Sequence, residues 1–226
     1  MKNMKAMLFI DGTWMFGARK DIFAACNGGE SFDIDYAKLP KVVVKRLEDY
    51  LNYDIELNRT HYFYVNHGDD LVKVDKFHQF LRDKVGYGMI QLPKTPSSID
   101  VGIAANVMLY GHLDAYDIAF VCSDRDSLVP LVAAVRQMGK QVQFVTTKNG
   151  MNSILSSCHG YTPVSDYPIV VVDEFGDEFR LLREKRIRTC KRCGKEEETE
   201  WDGPSFYCSE CKARNKERKL GNESND

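Results

Sequence analysis

The sequence predicts a three-layer α/β domain with a mainly parallel central sheet, followed by a small module built on four cysteines. Three observations carry this reading. Short apolar runs alternate with stretches of helical spacing along most of the 226 residues. Parallel neighbours need crossover connections, and such helices supply them on both faces of the sheet. Two Cys-x-x-Cys pairs then stand together near the C-terminal end. A hydrophobic content of 43% suffices for one sizeable core with a small appended module.

Met4 to Ile10 is a short apolar run stopped by Asp11-Gly12, which reads as a buried strand presenting a carboxylate at its C-terminal end. A loop is expected next. Asp35 to Asn52 places Leu39, Val43, Leu47 and Leu51 at helical spacing, and Thr60 to Val65 is an aromatic-rich strand. The alternation continues with a helix near Asp70 to Val85, a strand near Tyr87 to Leu92, a helix from Ile99 to Leu113 and a strand from Ile118 to Cys122. A helix over Leu128 to Met138 is stopped by Gly139, and Gln141 to Val145 follows as a fifth strand. Past Thr146 the pattern weakens. Ile154 to Cys158 is a candidate helix and Pro168 to Val172 a candidate sixth strand, after which Phe175-Gly176-Asp177 reads as a turn able to fold Glu178 to Leu182 back as a hairpin. The expected layout is a domain over 1–160, an extension and linker over 161–186, the cysteine module over 187–215 and a polar tail over 216–226 of disordered composition.

Cys190 and Cys193 form one pair, Cys208 and Cys211 the other, with 14 residues between. Two residues between thiols let a tight turn aim both sulfurs at one ion, and two such knuckles complete a closed tetrahedral thiolate site. Structural Zn²⁺ is the natural occupant. A pair of disulfides would suit an oxidising compartment, and four thiolates also hold iron–sulfur clusters. Gly194 stands where a knuckle needs an unusual backbone angle, and Trp201, Phe206 and Tyr207 are the residues available for a small core. Cys26, Cys122 and Cys158 lack pairing and read as reduced thiols of the larger domain.

Charge is unevenly placed. Arg183 to Lys219 carries twelve Lys and Arg against eight Asp and Glu, a local +4, whereas residues 1–182 carry −4 and the last seven −2. A basic module of this kind suits contact with phosphate. No run approaches the roughly 20 apolar residues of a membrane span, and Met1 to Ile10 lacks a signal peptide's long apolar region, so a cytoplasmic protein without membrane contact is expected. His61, His67, His78, His112 and His159 are scattered without ligand or triad spacing, and Gly28-Gly29 lacks the Lys-Ser/Thr of a phosphate-cradling loop.

Open α/β sheets bind ligands outside the carboxyl ends of their strands. Asp11 follows the first strand, Asp124 and Asp126 follow the strand ending in Cys122, and Asp100 starts the helix before that strand. Taken singly, each has a structural explanation as a cap or a dipole partner. Together they would repel unless a cation neutralises them, which points to a hard oxygen site for Mg²⁺ or Mn²⁺.

Phe9-Ile10-Asp11-Gly12, Ile99-Asp100-Val101, Val121-Cys-Ser-Asp124-Arg-Asp126 with Leu128-Val-Pro130-Leu131, and Gly139-Lys140-Gln-Val142 together resemble the NYN domain, a branch of the PIN-like nucleases. The resemblance spans residues 5 to 160 and implies a PIN-like (Rossmann-like) fold, with hydrolysis of RNA phosphodiesters by one or two divalent ions on acidic residues. Carried over by position, the site is Asp11, Asp100, Asp124 and Asp126, with Asn106 as a neutral ligand where the family commonly has Asp. Lys94 is a candidate for positioning phosphate, or simply an exposed loop lysine.

The sequence departs from the family at three places. Trp14 stands where Asn is usual, Asn106 brings no charge, and the usual Asp-Ser-Asp-Phe-x-Pro run is one residue longer. Aligning that run on Pro130 would put Arg125 and Ser127 at the acidic positions; aligning on the acids keeps Asp124 and Asp126, the preferred reading. RNA is the expected partner, with DNA as an alternative substrate and a protein partner for the cysteine module as a further option. A non-catalytic RNA-binding or protein-binding adaptor is the competing function.

Overall fold

In a computed structural model, residues 3–26, 32–65, 71–156, 169–181, 185–199 and 203–222 are described, by backbone alone at 71–73 and 216–222. The chain divides into two compact units, Met1–Arg180 and Leu181–Asp226.

The first unit is built on a six-stranded sheet ordered β3-β2-β1-β4-β5-β6. The strands are β1 (Met4–Asp11), β2 (Ile55–Val65), β3 (Gly88–Leu92), β4 (Ile118–Cys122), β5 (Gln141–Thr146) and β6 (Val170–Val171), and every pairing is parallel. The alternation of β1 shows why its sequence is an unbroken apolar run. Ala6, Leu8 and Ile10 enter one core, while Met7 and Phe9 enter a second core on the opposite face. In β4, Ile118, Phe120 and Cys122 turn to the first core, and Ala119 and Val121 to the second. A strand buried on both faces has no polar side, so its apolar residues run on without alternation.

The first core is closed by α1 (Gly12–Cys26) and α2 (Leu39–Leu51), through residues such as Met15, Ile22, Val43 and Leu47. The second is closed by α4 (Ser98–His112) and α5 (Leu131–Gln137), through Ile103, Val107, Val132 and Val135. Between them in sequence lies α3 (Leu71–Phe80), which widens into a π turn over Leu81–Val85, and α6 (Lys148–Ser156) follows β5. The expected three-layer α/β architecture is therefore the observed one.

Some boundaries differ from the sequence reading. The segment after Gly12 is helix α1, not a loop. β2 starts at Ile55 because its polar first half, including Glu56 and Arg59, still pairs with β1. In place of a hairpin after Asp177, short 3-10 turns at Val172–Glu174 and Gly176–Phe179 lead to Arg180, which bridges antiparallel to Ile34. Cys122 is buried and Cys26 half-buried. His67, Cys158, His159 and the Gly28-Gly29 pair lie outside the described residues. No described helix is long and apolar enough to cross a membrane.

The second unit holds an antiparallel hairpin of β7 (Arg186–Thr189) and β8 (Glu196–Thr199), followed by α7 (Ser209–Asn222). This helix runs past residue 215, where the module was expected to end, since Lys212-Ala-Arg-Asn-Lys-Glu-Arg-Lys-Leu is composed mostly of good helix formers.

Candidate active site and cysteine centre

β1 and β4 are central neighbours at which the strand order reverses, with β2 and β3 on one side and β5 and β6 on the other. Asp11 ends β1 at this switch point and is fully buried. Its Oδ1 accepts the backbone N–H groups of Thr13 at 2.8 Å and Trp14 at 3.1 Å, so the carboxylate caps α1. The turn needs Gly12, because a Cβ there would meet the Phe63 carbonyl oxygen and the Tyr62 ring at 2.7 Å.

A buried carboxylate is costly unless paired. Arg125, just past β4, supplies the positive charge. Its Nε lies 2.9 Å from Asp11 Oδ2 and 3.1 Å from Asp100 Oδ1, so one guanidinium bridges the two acids. Burial draws the guanidinium down, but Asp11, Asp100 and Asp124 outweigh this and hold it charged, above its ordinary value. Ser123 Oγ adds a longer bond of 3.4 Å to Asp11 Oδ2, and Ser127 Oγ donates to Asp100 Oδ2 at 2.6 Å. Asp100 sits in the first turn of α4, where the helix dipole also favours a negative charge.

The other candidates are placed differently. Asp124 does not share the guanidinium contact, yet partial burial raises its carboxyl above the ordinary value, and the nearby charges of Asp11 and Asp21 raise it further. Asp126 opens a 3-10 turn, Asp126–Leu128. Asn106 spends its amide on its own helix, donating to the Gly102 carbonyl at 2.8 Å. Among the described residues the carboxylates form no cluster of three tight enough to share an ion. Of residues 124 to 127, the side chains shown meeting Asp11 and Asp100 are thus Arg125 and Ser127, the pair selected by alignment on Pro130. Lys94 is exposed and lines a cavity of about 380 Å³ together with Thr13, Ser98 and Arg125.

Asp21 escaped the sequence reading because its helix did. It accepts from Thr147 Oγ1 at 2.9 Å and Asn149 Nδ2 at 3.1 Å, tying α1 to the segment after β5. Its spacing of ten residues from Asp11 becomes meaningful only once α1 is seen as a helix starting at that aspartate.

In the second unit the four cysteines converge, with their sulfurs all within 4.8 Å of one another. The Cys193 and Cys208 sulfurs are 3.5 Å apart, close to the roughly 3.8 Å expected for two thiolates on one tetrahedral zinc with bonds of about 2.3 Å. The first pair sits in the turn joining β7 to β8 and the second at the start of α7. Gly194 adopts φ of 73°, as its position in the knuckle requires, and donates to the Cys190 carbonyl at 2.9 Å. Backbone N–H groups, that of Cys208 foremost, draw the Cys190 thiol down to about 6. Burial, followed by the neighbouring thiols, pushes Cys211 up to about 12. Four thiols at this spacing cannot all ionise without a cation, so the donor set fits zinc. Phe206 is buried against Cys190, Cys208 and Cys211, whereas Tyr207 is exposed and Trp201 lies outside the described residues.

A parallel six-stranded sheet with acidic residues at its switch point has the PIN-like architecture. The NYN domain family matches residues 5–166, and the chain belongs to that family, which lies within the PIN-like nuclease superfamily. A solved structure of a protein of unknown function from Vibrio parahaemolyticus is similar in fold, with a TM-score of 0.53 and 16% identity over 79% of this chain and 96% of that one. No curated protein matches the sequence.

Proposed function

We propose that the protein is a cytoplasmic ribonuclease that hydrolyses RNA phosphodiester bonds with Mg²⁺ or Mn²⁺ held by Asp11 and Asp100, with Asp124 and Asp126 as further acidic residues of the site. A zinc ribbon aids its hold on RNA or on a partner protein. The observation that carries the reading is the cation already held at the switch point, the Arg125 guanidinium between Asp11 and Asp100. The position demands positive charge, and its donors are hard oxygens that suit Mg²⁺ or Mn²⁺. Asp11 and Asp100 would hold a divalent ion in that place if the Arg125 side chain, which is 35% exposed, withdrew. When bound, the ion supplies a water acidified toward neutral pH and a Lewis acid for the phosphate. The chain's own residues set the geometry. Asp11 is held by its bonds to α1 and Asp100 by Ser127, while Lys94 and Arg125 line the adjoining cavity, where both would meet a phosphate.

A second reading, an RNA-binding protein without turnover, is favoured by Arg125 and Ser127 facing the acids and by Asn106 being engaged within its helix. The two separate in one assay, in which end-labelled single-stranded and hairpin RNA, with DNA in parallel, is incubated with Mg²⁺ or Mn²⁺ and full-length protein. Cleavage that disappears in Asp11→Asn supports the hydrolase. Binding without cleavage, unchanged by that substitution, supports the second reading and sinks the first.

A further inference from the structure

We propose that the aromatic cavity between α1, β2 and α3 is a subsite for one unpaired RNA base, set beside the carboxylates so that the attached phosphate lies toward Arg125. The inference rests on the proposed action on RNA and specifies how the strand is held. The cavity has a volume of about 460 Å³, within the range of small-ligand sites. Its walls are rings. Tyr64 and His78 lie with centroids 3.8 Å apart, and Phe77 meets Tyr62 edge-on at 6.3 Å. Burial holds His78 below its ordinary value, so it presents a neutral flat ring.

Phe16 stands at the cavity 70% exposed, and Val74 beside it 38% exposed, both apolar and facing water. Exposed apolar surface around a concave site marks a place that a partner covers. The charge around it selects the partner. Arg19 is 5.8 Å from the Phe16 ring centroid, offering a cation beside the aromatic face. Thr13 and Val65 line this cavity and also the neighbouring one that holds Lys94 and Arg125. A ligand spanning both needs a flat π-system at one end and an anion at the other, which is the chemistry of a nucleotide. Bases of single strands stack on aromatic side chains and on Arg with little regard to sequence, whereas a base paired in a duplex cannot enter.

The test is fluorescence anisotropy with full-length protein and an end-labelled single-stranded RNA octamer, in buffer without Mg²⁺ or Mn²⁺. Phe16→Ala removes an exposed side chain and leaves the core intact; Tyr64→Leu, of similar bulk, removes a wall ring. Each substitution is expected to weaken binding about 5- to 150-fold, the range of one lost base stack. In a series of octamers with a single abasic position, one should weaken wild-type binding by a similar factor, and Phe16→Ala should then cost nothing further. Duplex RNA should be insensitive to both substitutions. Unchanged affinity in both variants, losses that simply add on the abasic strands, or no RNA binding by the wild type would overturn the subsite. RNA binding that obeys this cycle without any cleavage in the Mg²⁺ assay would sink the hydrolase and leave the subsite standing.

Discussion

The acidic end of the sheet and the cysteine module pose the same electrostatic problem and answer it differently. At the switch point two carboxylates share one guanidinium from their own chain, so part of their charge is neutralised from within. In the module four sulfurs converge on one another, and Lys195 beside them pairs with Glu210. The contrast separates two uses of a cation. The larger unit folds around apolar residues buried on both faces of a sheet, so its fold does not rest on the cation at its acidic end. Among its described residues the small unit buries little beyond Phe206 and the cysteines, and zinc on the four sulfurs would supply the missing core.

The largest expected effect follows from that dependence. Structural zinc contributes on the order of 10–16 kcal/mol to such modules, so a chelator or Cys208→Ser should unfold the hairpin and α7 outright. Amide NMR should show those resonances collapsing while resonances of β1, β4 and β5 stay dispersed. If the module keeps its dispersion without metal, the contrast fails.

At the acidic end, Asp11→Asn should slow metal-dependent RNA cleavage at least about 100-fold, since several kcal/mol of charge stabilisation rest on that position, as single-turnover rates would show. Asp11→Ala, which also removes the cap of α1, should lower stability by about 2 kcal/mol in urea unfolding. Roughly 1 kcal/mol of that is the cap, with a discounted share for the partly exposed Arg125 partner. An unchanged midpoint would mean that the carboxylate carries neither task.

Arg125→Gln sharpens the comparison further. If the guanidinium holds the place of a divalent ion, its removal should tighten Mn²⁺ binding about tenfold by calorimetry, near 1.4 kcal/mol. Weaker binding would show that Arg125 supports the ion site instead of contesting it. The smallest effect is a pH dependence in the sheet. His61 is buried, and burial with the charge of Arg59 holds its imidazole below the ordinary value near 6.5, so it folds neutral. As pH falls through that value the unfolded chain takes up a proton and the folded chain does not, so stability declines on the acid side. His61→Phe, keeping a ring against Phe9 and Tyr110, should flatten that decline by up to about 1 kcal/mol at pH 5.5.

The central strands β1 and β4 were legible because they are buried on both faces, which leaves continuous apolar runs that no surface helix shows. Helix α1 was not, although Met15, Ala18 and Ile22 follow helical spacing, because Phe16 interrupts the stripe with an apolar residue that faces solvent. A residue that breaks a local pattern is often there for function, and Phe16 lines the proposed base subsite. The cysteine centre was readable from spacing alone, since two-residue knuckles fix where sulfurs point. The carboxylate site was readable only as a set of strand ends. Which of Asp124, Arg125, Asp126 and Ser127 turns inward depends on one residue of phase after β4, and spacing cannot supply that phase. The structure turns Arg125 and Ser127 toward Asp11 and Asp100, an arrangement the spacing alone does not choose.

The position held by Arg125 carries the functional account, and anomalous scattering from crystals of the full-length protein soaked in Mn²⁺ tests it directly. The expected result is a Mn²⁺ peak bonded to carboxylate oxygens of Asp11 and Asp100, with the Arg125 side chain withdrawn. Arg125 still bridging both carboxylates in saturating Mn²⁺, with no peak between them, would contradict it.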